Sequence, residues 1–111
     1  MDIREARELL EKKRIRRMKL AGIIRDVDEL EFDSTDLRRQ LSMLETKISA
    51  AEKILSDYDY YQREEYRIDG RLDNILPFRP NSREVDDLRR RDDELLDAME
   101  DCLAKVEIML L

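Results

Sequence analysis

The sequence is poor in the residues that usually carry chemistry. Its 111 residues include no histidine, no tryptophan, one cysteine, two glycines and two prolines. Without histidine, imidazole acid–base catalysis and Cys–His nucleophiles are excluded. The lone Cys102 cannot form an internal disulfide, and its place on an apolar helical stripe predicts a buried thiol. No glycine-rich phosphate loop is present.

Long apolar segments are also absent. The uninterrupted apolar runs are short, such as Leu20 to Ile24, which itself contains Gly22. A membrane-spanning helix needs about 20 apolar residues, and the first residues lack the apolar core of a secretory signal. We therefore expect a cytoplasmic protein that does not associate with membranes.

What the sequence has in abundance is mixed charge and helix-forming residues. Charged residues make up 45% of the chain and hydrophobic residues 41%, which is too apolar for a disordered polyampholyte. The 22 basic and 28 acidic residues give a net charge of −6, so the chain as a whole is not a general nucleic-acid binder.

Apolar residues at steps of three and four predict three helices in a single domain, residues 1–111. Helix 1 covers about 3–32, helix 2 about 35–76 and helix 3 about 82–110. The predicted fold is an all-α, antiparallel three-helix bundle or coiled coil, with a long central helix and a protruding helical hairpin.

Helix 2 carries a seven-residue repeat typical of a helix–helix seam. Its members are Leu37, Leu41, Leu44, Ile48, Ala51, Leu55 and Tyr58. The phase slips after Tyr58, and Gly70 either ends the helix or is carried through it. Pro77 and Pro80 end it by about residue 76 at the latest.

The helix ends carry capping signals. Short polar side chains at 33–36 can cap helix 2, and the lack of Gly or Pro there predicts a tight antiparallel turn. Asn81 and Glu84 have the spacing of a capping box for helix 3. Gly22 lies within helix 1, either simply tolerated there or allowing another helix to approach closely.

The unequal helix lengths predict an uncovered hairpin. At 1.5 Å per residue, all three helices coexist only along the middle of helix 2, so residues 21–46 form a bare two-helix hairpin. An exposed apolar patch of this kind usually marks an interface. We expect the partner-binding residues to be Ile23, Ile24, Val27, Leu30, Leu37, Leu41 and Leu44.

A basic strip, residues 12–19, contains six cations: Lys12, Lys13, Arg14, Arg16, Arg17 and Lys19. One interpretation is that these side chains lie along the bundle and pair with acids on adjacent helices. The alternative is a contact site for a charged partner, including phosphate. Among the four clustered tyrosines, Tyr58 and Tyr61 fit the core, whereas Tyr60 and Tyr66 are candidate partner contacts.

One carboxylate pattern points to metal chemistry. Glu64-Glu65 on helix 2 and a Glu-x-x-Asp pair, Glu94 and Asp97, on helix 3 could face each other. They loosely resemble the MazG-type nucleotide pyrophosphohydrolases, whose Glu-Glu-x-x-Glu and Glu-x-x-Asp motifs hold Mg²⁺. The resemblance covers these two motifs, with Ile68 at the third Glu position, and implies a Mg²⁺-dependent hydrolase.

The main prediction is a non-enzymatic interaction or assembly protein, with no cofactor and no bound metal. It would self-associate, as a dimer, or dock a partner helix through the hairpin. The alternative is a small acidic regulator that binds a charged partner or nucleic acid through the basic strip.

Overall fold

The computed structural model describes residues 1–111 and contains three helices. They are α1 (Ile3–Glu29), α2 (Thr35–Ile75) and α3 (Arg83–Leu110). The helices run antiparallel in a rod with extents of 74 × 17 × 17 Å. The predicted all-α three-helix architecture is therefore confirmed. No helix combines the length and the apolar content that crossing a membrane would require.

The turn between α1 and α2 begins three residues earlier than predicted. The N–H of Phe32 donates to the carbonyl of Val27, and that of Glu31 donates to Asp28. These bonds close α1 at Glu29 in a Schellman motif, with Glu31 in the left-handed region at φ 59°. A glutamate takes the position that glycine usually fills, so the turn was not evident from composition.

Both glycines are carried inside helices. Gly70 lies within α2, which continues to Ile75 and ends before Pro77. A Cβ atom built on Gly22 or Gly70 would meet no atom within 4 Å. The close approach of another helix therefore does not explain Gly22. The structure agrees with the other interpretation, that the glycine is simply tolerated within helix α1.

Helix α3 is capped by Ser82 rather than by Asn81. The Ser82 hydroxyl accepts a hydrogen bond from the Val85 N–H at 3.3 Å. The capping-box pair predicted at Asn81 and Glu84 is therefore wrong by one residue. Glu84 instead accepts two bonds from the Arg71 guanidinium, at 2.9 and 3.0 Å, which ties α3 to α2.

The core lies where the three helices overlap. Its buried members are Ala6, Leu10, Ile48, Ala51, Leu55, Val106 and Leu110. Ion pairs align α1 with α2 along this segment, at 2.6 Å for Arg7–Asp59 and 3.8 Å for Arg14–Glu52. Cys102 and Tyr58 are buried, as predicted, and burial raises the pKa of both groups.

Replacing either helical glycine by alanine should stabilise the protein. Alanine is favoured over glycine inside a helix by about 1 kcal/mol, and neither site presents a clash. We expect Gly22→Ala and Gly70→Ala each to raise the free energy of unfolding by about 0.5–1 kcal/mol in urea denaturation. Loss of stability at Gly22 would mean that another helix approaches there after all.

Candidate interaction surface

The predicted hairpin, residues 21–46, extends beyond the end of α3. The last turn of α3 packs Leu110 into the core with Ile48, and past this level α1 and α2 run as a pair. Four large apolar side chains of the hairpin are mostly exposed: Ile23 at 51%, Met43 at 59%, Leu30 at 66% and Phe32 at 68%. The repeat on α2 is divided in the same way, because Ile48 onward is buried and the three leucines before it are not.

The predicted partner-binding residues do not share one environment. Ile24 is only 5% exposed and packs inside the hairpin, so it is not free for a partner. Four others are half-buried at the seam between α1 and α2: Val27, Leu37, Leu41 and Leu44. Ile23 and Leu30 are the members of the set that the structure leaves mostly exposed.

A groove on the hairpin continues the line of α3. Its lining residues are Lys13, Arg16, Leu20, Gln40, Met43, Leu44, Lys47, Leu110 and Leu111. Ile23, Val27 and Leu30 follow Leu20 along α1 at steps of three and four, so they extend the same face toward the tip. We call this the groove face. The helix that covers it elsewhere in the rod is α3.

The opposite face of the hairpin is held by polar contacts. The Arg38 guanidinium pairs with Asp28, and the buried Ser34 hydroxyl donates to the same carboxylate at 2.6 Å. Arg38 also donates to the Ser34 oxygen at 3.0 Å. These contacts join the end of α1 to the start of α2, so the tip is fixed without an apolar core of its own.

Most cations of the basic strip have no internal partner. Arg14 pairs with Glu11 and Glu52, at 3.4 and 3.8 Å. No carboxylate lies within 4.0 Å of the other five, which are Lys12, Lys13, Arg16, Arg17 and Lys19. Pairing with acids on adjacent helices therefore accounts for only one of the six side chains.

Sequence reasoning missed an acidic tip. Residues 26–36 cover the end of α1, the turn and the start of α2, and they contain six acidic side chains and no basic ones. Asp26, Glu29 and Glu31 have no ion-pair partner, while Asp33 accepts from the Thr35 N–H and hydroxyl, which lowers its pKa. The sequence shows this block of acidic residues, but only the folded hairpin places the block at one end of a groove.

The tyrosines divide as predicted by burial. Tyr58 is buried and Tyr61 half-buried, whereas Tyr60 and Tyr66 are 50% and 65% exposed. The Tyr60 and Tyr61 rings pack edge to face with centroids 5.8 Å apart. Their role as partner contacts stays a prediction.

A carboxylate cluster lies between α2 and α3, far from the hairpin. Oxygen atoms of Glu65, Asp69 and Asp92 lie within 4.8 Å of one another, and Asp92 Oδ1 is buried without a hydrogen-bond partner. Burial first, then hydrogen bonding and repulsion from Asp69 and Asp92, raises the pKa of Glu65 to about 7. Burial and the charges of Asp69 and Asp93 also raise the pKa of Asp92. Only here do three carboxylates lie close enough to contact one cation.

This cluster differs from the predicted carboxylate pattern. Only Glu65 of that pattern belongs to it. Glu64 pairs with Arg67 at 2.8 Å and Glu94 with Arg91 at 3.5 Å, both along their own helices. Asp97 is exposed. The MazG-type arrangement of four facing carboxylates is therefore not formed.

The chain matches no known protein-family model, no curated protein and no solved structure.

The carboxylate cluster predicts a pH-dependent stability. Glu65 has a higher pKa in the folded state, about 7, than the 4.5 of a free glutamate, so the folded protein binds more protons between these values. Its contribution to the free energy of unfolding should therefore fall as pH rises from about 4.5 to 7. We expect Glu65→Gln, which keeps the shape and removes the charge, to stabilise the protein by about 1–2 kcal/mol at pH 8.

The gain from Glu65→Gln should shrink toward pH 4.5, as measured by urea denaturation across that range. Glu64→Gln is the matched control, because Glu64 lies next in sequence and only forms an ion pair along α2. A stabilisation by Glu65→Gln that does not vary with pH would contradict the proton-binding explanation.

Proposed function

We propose that this protein is a non-enzymatic helical assembly protein that self-associates through the groove face of its hairpin. The observation that carries the proposal is the exposure of Ile23, Leu30 and Met43 beyond the end of α3. Elsewhere along the rod, the equivalent face of α2 is covered by α3. A second hairpin would supply the two helices needed to complete a four-helix segment.

The exposed area sets the expected strength of association. Removing the exposed half of a large aliphatic side chain from water is worth roughly 1 kcal/mol. Three such side chains from each of two copies supply roughly 6 kcal/mol, before polar contacts and before the cost of association. With polar contacts offsetting the cost of association, about 6 kcal/mol corresponds to a dissociation constant of tens of micromolar.

Non-enzymatic action is supported by the side chains available. The sequence offers no histidine, and its one thiol, Cys102, is buried with a raised pKa that disfavours the reactive thiolate. The groove itself is lined by aliphatic side chains and by cations rather than by an acid–base pair. Such a surface is suited to binding a helix.

The basic strip supports a second candidate function, binding of a charged partner such as nucleic acid. Five of its six cations lack an internal partner, which favours an external one. The tip and the overall charge of −6 oppose phosphate, so this function requires a contact limited to residues 12–19.

Acidic substitutions on the groove face should abolish self-association. We expect Ile23→Asp with Met43→Asp to weaken the dimer at least about 30-fold, because two charges would have to be desolvated in the interface. Sedimentation equilibrium from 1 to 200 µM would measure this, and circular dichroism should show unchanged helix content. Ile24→Asp is avoided because Ile24 is buried within the hairpin itself.

The matched control is Phe78→Asp with Leu96→Asp. Both side chains are exposed, at 83% and 45%, and both lie away from the hairpin and from the basic strip. The control should associate as the wild type does. A wild-type protein that stays monomeric to 200 µM, or equal effects of both double variants, would contradict self-association through the groove face.

The second candidate predicts salt-sensitive binding of nucleic acid. Reversing Lys12, Arg16 and Lys19 to Glu should remove any binding of a fluorescent 20-nucleotide RNA or duplex DNA, measured by anisotropy at 50 and 150 mM salt. Each phosphate contact adds to the salt dependence, so binding should weaken several-fold between the two conditions. Absence of wild-type binding at 50 mM salt would overturn this candidate.

A further inference from the structure

We propose that two copies pair antiparallel about a two-fold axis, with the acidic tip of each copy against the basic strip of the other. The inference rests on the proposed self-association and identifies the partner, its orientation and the second surface it contacts. The central segment would be a four-helix bundle made of two hairpins, and each end of the dimer would be a three-helix rod.

Opposite charges are segregated along α1 and the turn. The basic strip has six cations and no acids in eight residues, and the acidic tip has six acids and no cations in eleven. Each block is mostly unneutralised within the chain. Internal ion pairs engage only Arg14 of the strip, and Asp28 and Asp36 of the tip.

The length of the groove also fits an antiparallel second hairpin. On the groove face, Lys13, Arg16 and Lys47 surround the level at which α3 ends. From Arg16 to the end of α1 at Glu29 the helix rises about 20 Å, and from Thr35 to Lys47 α2 rises about 18 Å. A second hairpin laid antiparallel into the groove would fill this length when its tip reaches Leu111. At that register its acidic tip lies beside Lys13, Arg16 and Lys47.

The opposite, parallel orientation is disfavoured by charge repulsion. A parallel pairing would place the two acidic tips side by side and the two basic strips side by side. Like charges in contact cost energy, and screening is weak at contact because the Debye length is about 8 Å at physiological salt. Antiparallel pairing replaces both repulsions with attractions. The same apolar face is buried in either case, so charge decides the orientation.

The carboxyl end of α3 is a competing partner for these cations. A helix carries about half a negative charge at its carboxyl end. No hydrogen bond or ion pair joins Lys13, Arg16 or Lys47 to α3. The three positive charges of Lys13, Arg16 and Lys47 therefore exceed the partial negative charge of this helix end. The remaining positive charge can be neutralised by an acidic tip.

Reciprocal charge reversal tests the arrangement. The strip variant carries Lys13→Glu and Arg16→Glu, and the tip variant carries Asp26→Lys and Glu31→Lys. All four side chains lack internal ion pairs, so the fold should not depend on them. We expect each variant alone to dimerise at least tenfold more weakly than the wild type at 50 mM salt, measured by sedimentation velocity.

Mixing the two variants tests for contact between a tip and a strip. In a mixture, the native tip of the strip variant meets the native strip of the tip variant, which restores one of the two tip-to-strip contacts. The heterodimer should therefore form more tightly than either variant's homodimer but more weakly than the wild-type dimer. A single chain carrying all four changes should dimerise more weakly than the wild type, whereas parallel pairing, in which like charges repel, would make it dimerise more tightly.

Each other outcome overturns the inference. A tip variant that strengthens homodimerisation would indicate tip-to-tip pairing. A mixture that associates no more tightly than either variant alone, or no effect of either variant, would remove the tip-to-strip contact. In these cases the Ile23 and Met43 substitutions would still report whether the groove face mediates association. A monomeric wild type would instead remove the proposed function itself.

Discussion

The whole molecule depends on a mismatch of helix lengths. α2 has 41 residues, whereas α1 has 27 and α3 has 28, so its two neighbours can share only its middle. At this overlap the side chains of Ala6, Ile48 and Val106 are fully buried, which holds the three helices together. Everything beyond the overlap is a pair of helices. At each end of the rod, two helices instead of three must cover the apolar side chains.

The two ends differ in which side chains are buried between their two helices. The α2–α3 end keeps Ile68, Ile75 and Val85 buried and places the carboxylates of Glu65 and Asp92 between the helices. Those carboxylates limit the stability of that end, because they are partly desolvated while they repel each other. The α1–α2 end instead leaves its apolar side chains exposed. Ile23, Leu30 and Met43 are exposed there on or beside one groove.

Most of the fold is predictable from the sequence because the relevant signals are periodic and local. Apolar residues at steps of three and four define the helices, and the helix lengths alone place the uncovered hairpin. Features that depend on one atom or on a tertiary contact are not predictable in this way. Neither the left-handed Glu31 nor the Ser82 cap could be distinguished from its neighbours by residue type, since several polar residues there suit a turn.

The candidate surface was predicted less completely for the same reason. A periodic stripe shows which residues avoid water, but not which neighbouring helix covers them. Ile24 and Ile23 are adjacent in sequence and equally apolar, yet one is buried by α2 and the other is mostly exposed. The acidic tip was readable in the composition. Its distance from the basic strip is informative because α3 ends at the level of the strip and leaves the hairpin uncovered from there to the tip.

The hairpin's own rigidity makes specific self-association physically reasonable. A two-helix segment with exposed leucines would otherwise fray, and a flexible surface loses affinity through the entropy of ordering. Here the contacts among Asp28, Ser34 and Arg38 hold the turn in place, and Ile24 is buried between the two helices. These polar contacts lie on the face opposite the groove, so they stay intact when a second copy binds. The contacts that stabilise the tip and the groove proposed to bind a second copy therefore lie on different faces of the same two helices.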